Sequence, residues 1–290
     1  MEIHFNQVTI IGVGLIGGSL AGIMKSKGMA DSIVGVGRNR DNLEAAVRLG
    51  LIDRFTSDAK KGVSGSGLVV LCCPVGLFAQ VARDIKPYLD DQAIVTDVGS
   101  VKGELVGELE EIFHLKALYV PAHPIAGSER SGAEAADLKL FEGARLILTP
   151  TRNTDLKALE TVTGLWEATG AKIQRMDPFE HDKVFSLVSH LPHVAACAMV
   201  NALADMDDGQ MAITYAAGGF RDFTRIAASH PDMWRDICMF NGKNIVTALD
   251  SYQEALWRLR DLIEKADGEA LYAEFERGRN VRMRLDEDKG

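Results

Sequence analysis

From residue 7 to about residue 176, short apolar and β-branched runs alternate with longer helix-like stretches. The runs fall at 8–12, 32–37, 68–73, 93–97, 117–121, 144–149 and 172–176. Strands separated by helical segments pair in parallel through crossovers, so this alternation predicts an α/β fold, a doubly wound and mostly parallel sheet with helices on both faces. The strand signals stop at Asp177-Pro178. Beyond them the chain reads as all helix: one segment from 179 to about 205 with a bend at Pro192, one after Ser229 with Pro231 in its first turn, and one from about 267. Two domains follow, at 1–176 and 177–290.

In the second long helix Ile237, Ile245, Leu249, Leu256, Leu259 and Ile263 keep helical spacing over nearly thirty residues. A stripe that wide exceeds what a small domain buries alone, which predicts a subunit or domain interface. The charged tail at 282–290 is expected to be solvated and partly disordered.

Composition narrows the partners. The 290 residues carry 32 basic and 41 acidic side chains, a net charge of -9 that repels nucleic acid and anionic membranes. An anionic small-molecule substrate must then find a local basic site. Cys72, Cys73, Cys197 and Cys238 lack metal-ligand spacing and fit reduced thiols in a reducing compartment. The uncharged run at 8–24 holds five glycines and has no Lys or Arg before it, so it reads as neither a signal peptide nor a membrane span, and a cytoplasmic location is expected.

Gly12-Val13-Gly14-Leu15-Ile16-Gly17-Gly18 matches G-x-G-x-x-G between an apolar strand and a helix. Gly12 would permit the tight turn, Gly14 the approach of a pyrophosphate and Gly17 close helix packing, with Leu15 and Ile16 in the helix turn that receives the phosphates. The sheet is therefore of the Rossmann type. The second strand ends Gly37-Arg38-Asn39, where an NAD site usually has Asp or Glu for the ribose 2′-hydroxyl. A small residue followed by an arginine favours NADP, with NAD the alternative; Arg38 as a plain solvated charge is the competing reading.

Further motifs follow later strands. Cys72-Cys73-Pro74 ends one, Asp97-Val98-Gly99-Ser100-Val101-Lys102 the next, and His123-Pro124-Ile125-Ala126-Gly127-Ser128-Glu129 stands as a turn after the one at 117–121. Parallel strands open these ends on one cleft, so Gly12, Arg38, Pro74, Ser100 and His123 should share it. Taken singly, Ser100 is also a helix cap, Lys102 a solvated first-turn charge and His123 a turn residue. His190 and His193 sit three apart on one helix face, but no third metal ligand supports them. Arg221 and Arg225 stand four apart after Gly218-Gly219; like charges at that spacing repel, which calls for an anionic partner, either a substrate or a carboxylate such as Asp222.

GVGLIGGS, DVGSVK, HPIAGSE, SHLPH and GGFRDFTRIA, in this order over roughly residues 8–260, resemble the prephenate/arogenate dehydrogenase family of tyrosine biosynthesis. The resemblance implies oxidative decarboxylation of a cyclohexadienyl substrate by a nicotinamide cofactor, without a metal, in a homodimer. It implies that His123 is the catalytic histidine at the ring hydroxyl and that Ser100 supports it. It further implies that Arg225 holds a substrate carboxylate, that Glu129 and Asp222 line the entrance, and that His193 and Trp234 lie near the substrate. One departure is Gly37, where many members keep an acidic residue. The competing enzyme class is a β-hydroxyacid dehydrogenase using Lys243 as its base, and a cofactor-sensing binding module is the reading from another class.

Overall fold

The structure, a computed structural model, describes residues 3–128 and 130–287. Two compact units divide at Met1–Gly242 and Lys243–Gly290. In the first, β1 (Phe5–Ile11), β2 (Ala30–Val36), β3 (Arg54–Thr56), β4 (Leu68–Leu71), β5 (Ala93–Asp97) and β6 (Ala117–Val120) form one parallel sheet in the order β3-β2-β1-β4-β5-β6. The helices α1 (Leu15–Ser26), α2 (Arg40–Arg48), α3 (Ala59–Val63), α4 (Phe78–Ile85) and α5 (Gly103–Phe113) supply the crossovers.

Pleating explains why these strands are apolar at successive positions. Val8 and Ile10 of β1 join Leu20, Met24 and Ile33 in one core, whereas Ile11 joins Val69, Leu71, Phe78 and Leu105 in the other. Both faces are covered, as parallel sheets require. The order reverses between β1 and β4, and a crevice for ligands opens at the carboxyl ends there.

The segment expected to be a turn at His123 is instead a strand. β7 (Ala122–Ile125) pairs antiparallel with β8 (Arg145–Leu148), which pairs parallel with β9 (Lys172–Arg175), in a separate three-stranded sheet. The runs at 144–149 and 172–176 are therefore strands but not members of the main sheet. Pro121, which has no N–H to give, stands between β6 and β7, and the chain changes partner across it. α6 (Leu156–Ala168) links β8 to β9.

The helical part follows as α7 (Pro178–Phe185), a π-helical turn Ser186–His190, α8 (Leu191–Ala204), α9 (Gly209–Thr214), α10 (Gly218–Thr224), a 3-10 turn Arg225–Ala228, α11 (Pro231–Phe240), α12 (Gly242–Glu264) and α13 (Gly268–Glu287). Asp177 caps α7 by accepting from the N–H groups of Phe179 and Glu180. The expected bend is a π turn just before Pro192, where the missing proline N–H lets the ladder slip. The long helix expected after Ser229 breaks at Asn241, and the tail expected to be disordered continues α13 as far as Glu287. Among the described residues Pro178–Ala204 is the one helical stretch long and apolar enough to cross a membrane. His181, Asp182 and His190 within it are buried and hydrogen-bonded to the protein's own groups.

Candidate functional site

The end of β1 is shaped by what its glycines lack. Gly12 has φ +103°, and a Cβ there would meet the Cys72 carbonyl oxygen at 2.5 Å. A Cβ on Gly17 would stand 2.2 Å from the Gly12 oxygen, which fixes the approach of α1 to the turn. Gly14, the N-cap of α1, has nothing within 4 Å of a built Cβ and no side-chain cap. The first-turn N–H groups at Leu15 and Ile16 have no intrahelical acceptor and receive no side-chain cap from Gly14, at the positive end of a twelve-residue helix, a cradle that fits a diphosphate.

Beyond the end of β2, Val13, Gly37, Arg38, Asn39, Asn42 and Leu43 line a cavity of about 620 Å³. No carboxylate among the described residues lines it. Asn39 caps α2 by accepting from the Asn42 N–H at 3.1 Å, while the Asn42 side chain donates to the Val13 carbonyl at 2.7 Å and so ties the two turns together. Pro74 precedes a 3-10 turn whose Gly76 N–H donates to Asp236 Oδ2 at 3.2 Å, joining the end of β4 to α11.

His123 is 8% exposed and lies in an aromatic corner with Phe185, ring centroids 5.1 Å apart. Its Nδ1 lies 2.8 Å from His181 Nε2, and His181 Nδ1 lies 2.9 Å from Asp182 Oδ1. The Lys102 backbone N–H donates to the same Asp182 oxygen at 2.8 Å. Lys102, expected to be a solvated charge, is 1% exposed, and its ammonium pairs with the fully buried Asp97. Asp97 also accepts from Tyr119 Oη at 2.7 Å and from the Gly99 N–H at 2.7 Å. Burial and multiple bonds hold this pair in place; one buried charge without the other would be severely destabilising.

Burial pushes the His123 imidazole well below the ordinary histidine value, with His181 and the Lys102 charge acting in the same direction. The value near 6.5 expected of a free imidazole is thus replaced by one at which His123 is firmly neutral. His181 is lowered chiefly by burial, and its bond to Asp182 opposes that shift. His190 is lowered to about 4, again mainly by burial.

Ser100 follows β5 at the same edge, but among the described residues no hydrogen bond joins it to His123; His181 occupies that role. His190 and His193 part company rather than converging on a metal. His190 Nδ1 accepts from Asn241 Nδ2 at 3.1 Å, and the same amide donates to the Asp182 carbonyl at 2.7 Å. This pull on Asn241 coincides with the break between α11 and α12. His193 stacks on Trp234 with ring centroids 3.4 Å apart and planes 8° from parallel, so the structure brings these two expected site residues together. His193 Nδ1, Trp234 Nε1 and His190 Nε2 are buried without a partner among the described residues. Each such group costs about 1–3 kcal/mol unless a ligand or water answers it.

Arg221 lies within α10 and Arg225 in the 3-10 turn that continues it. Arg221 Nε donates to the Ala216 carbonyl at 3.0 Å. Both arginines and Asp222 are exposed, and α10 and that turn pack against α8, the helix that carries His193. Glu129 lies outside the described residues. The groups missed in the sequence are His181, Asp182, Lys102, Asp97 and Asn241. The one usable signal was a polar Asn241 inside an otherwise apolar stripe.

Comparison with known proteins gives a consistent result. The sequence matches the family described as prephenate dehydrogenase, nucleotide-binding domain, over residues 20–175 and prephenate dehydrogenase, dimerization domain, over residues 177–277. It is 34% identical to the cyclohexadienyl dehydrogenase of Zymomonas mobilis, covering 98% of this chain and 97% of that protein. Among solved structures it is similar to prephenate dehydrogenase from A. aeolicus in complex with hydroxyphenyl propionate and NAD+, at TM-score 0.91 and 39% identity over 98% of this chain and 100% of that one. It is also similar to Synechocystis arogenate dehydrogenase, at TM-score 0.79 and 29% identity over 96% of this chain and 99% of that one.

Proposed function

The chain belongs to the prephenate dehydrogenase family, and from that premise we propose that it oxidatively decarboxylates prephenate or arogenate, yielding 4-hydroxyphenylpyruvate or tyrosine in tyrosine biosynthesis. The observation that carries the reading is a neutral, buried imidazole, His123, beside the sheet edge that holds the glycine cradle. A nicotinamide cofactor, when bound, accepts a hydride from the carbinol carbon of the ring. His123 takes the proton of the ring hydroxyl as the carbon–oxygen double bond forms, the work of a positioned general base. The bond to the ring carboxylate then breaks, carbon dioxide leaves, and its electron pair completes the aromatic ring. The phenolate oxygen so formed recovers a proton. Arg225 holds a substrate carboxylate by a charge-assisted pair, Ser100 bonds the ring hydroxyl, and Arg221 and Asp222 stand at the entrance, with Glu129 assigned to the same substrate by the family resemblance alone. His193 and Trp234 offer their unanswered N–H and ring nitrogen to the polar end of the substrate.

The nucleotide-binding region divides from the helical substrate and dimerisation region at 176/177. Gly12, Gly14, Leu15, Ile16 and Gly17 cradle the diphosphate, and Pro74 flanks the nicotinamide side. NADP is the preferred cofactor and NAD the alternative, because Arg38 and Asn39 line the 2′ cavity with no carboxylate among the described residues; the A. aeolicus relative was solved with NAD+. A cytoplasmic homodimer fits four unpaired thiols and the exposed Leu256, Trp257, Ile263, Tyr272 and Phe275 of α12 and α13. The family relationship favours this reading over a β-hydroxyacid dehydrogenase.

The test is a steady-state matrix of prephenate and arogenate against NADP and NAD. Reduced cofactor forming with at least one cyclohexadienyl substrate is the expected result. Turnover of 3-hydroxy acids with neither cyclohexadienyl compound oxidised would overturn it.

A further inference from the structure

His123 reaches Asp182 through a second ring, and the direction of each proton in that chain follows from what each group is able to donate. We propose that His181 and Asp182 form a positioning relay that fixes the His123 tautomer, placing its proton on Nδ1 and leaving Nε2 as the basic nitrogen. The Asp182 carboxylate only accepts, and its Oδ1 already receives the Lys102 N–H at 2.8 Å. His181 Nδ1, 2.9 Å from that oxygen, must therefore carry a hydrogen. A neutral imidazole has one N–H, so His181 Nε2 is an acceptor, and His123 Nδ1 at 2.8 Å must be the donor to it. The lone pair of His123 is then on Nε2, which makes no hydrogen bond with any described residue.

Three features hold the relay in this direction. His181 is fully buried and stacks on Phe185 at a centroid distance of 4.4 Å, so the ring cannot turn to exchange its nitrogens without breaking that packing. The ammonium of Lys102, paired with Asp97, stands close enough to disfavour a positive charge on either ring. A doubly protonated His181 would donate from both nitrogens, forcing His123 to accept at Nδ1 and carry its hydrogen on Nε2, where it could no longer take a proton. On its other side Asp182 Oδ2 packs into the space left by Gly103, where a Cβ would stand 2.6 Å from it, and Asn241 donates to the Asp182 backbone carbonyl.

The inference rests on His123 being the proton acceptor, and two readouts separate its failure from failure of that role. Selective ¹⁵N-histidine labelling of the intact enzyme, with His123→Asn to assign the signal, reports the tautomer directly and needs no substrate. The expected result is Nδ1–H on His123 at neutral pH; Nε2–H would overturn the relay whatever the enzyme turns over. The second readout is kinetic. His181→Phe keeps the ring packing and removes the acceptor, and should lower kcat about tenfold to a hundredfold with KM within about threefold, because part of the His123 population then holds the wrong tautomer. His181→Gln returns an acceptor oxygen and should recover most of that loss. Equal kcat in the two variants would overturn the relay, and if His181→Phe does not fold, the wild-type spectrum still decides.

Discussion

At the end of β1 the features proposed to receive a cofactor are backbone N–H groups and absent side chains, all within Gly12 to Gly18. Around His123 they are side chains drawn from Asp97, Lys102, Tyr119, His181, Asp182 and Asn241. The first region needs only a strand, a turn and a helix to form, and its recognition is of charge by helix dipole. The second needs β5, β7, α5, α7 and the end of α11 to be docked before a single tautomer is defined. Binding is therefore locally encoded here, while the chemistry depends on long-range packing.

The comparison breaks most sharply at His123. His123→Asn removes the proposed base while keeping a polar group of similar reach, and should lower kcat by about 10² to 10⁴ with little change in KM. A variant with near-normal kcat would move the chemistry away from β7. Gly17→Ala is the counterpart at the cofactor end. Its Cβ would sit 2.2 Å from the Gly12 oxygen and 2.9 Å from Ile10 Cγ2, so the turn must shift. The expected cost is about 1–3 kcal/mol of stability, seen as a lower Tm, together with a raised KM for the cofactor and a smaller change in KM for the substrate. If cofactor KM and Tm are both unchanged, the turn is not the rigid cradle described here.

Acid should expose the difference too. His190 has its value lowered from 6.5 to about 4, mainly by burial. Below pH 6.5 the unfolded chain takes up a proton at this site and the folded chain does not, so stability falls as pH drops and is fully present only above that value. At pH 5 the loss from His190 alone is about 2 kcal/mol. Buried His123, lowered in the same direction, adds to the slope. Urea unfolding at pH 7 and pH 5 measures it, and His190→Gln should flatten the dependence by about one proton; a stability independent of pH over this range would contradict the burial. The acid limb of kcat/KM should likewise lie below pH 6.5.

Much of this was readable in advance, and the exceptions share a cause. The β1 turn, the strand ends at Asp97 and Val120 and the helices after Asp177 follow from local patterning of residues such as Val8, Ile10 and Pro178. β7 was taken for a turn because Pro124 and the glycine after it signal one locally, whereas pairing with β8 more than twenty residues later decides the matter. Lys102 was read as solvated because nothing within a few positions reveals Asp97 beneath it. His181 and Asp182 carry no spacing signal toward His123, since the contact spans 58 residues. Pairwise chemistry across such separations is invisible to periodicity.

Arg38 gives the smallest expected effect and tests the local half of the comparison most directly. It is exposed beside Gly37, in a cavity lined by Asn39 and Asn42 and, among the described residues, by no carboxylate. If recognition of the 2′ group is local, Arg38→Ala should lower kcat/KM for NADP about tenfold, near 1.4 kcal/mol, and change NAD less than threefold. Gly37→Asp should do the reverse, and its Cβ is tolerated, because the three nearest atoms it would meet belong to Leu43 at ordinary contact distances of 3.4–3.6 Å. The absence of an acidic residue is therefore not imposed by packing, which makes the pair a choice about the ligand. A wild-type enzyme preferring NAD tenfold, with that preference untouched by Arg38→Ala, would show that the guanidinium is solvated and that the 2′ preference is set elsewhere.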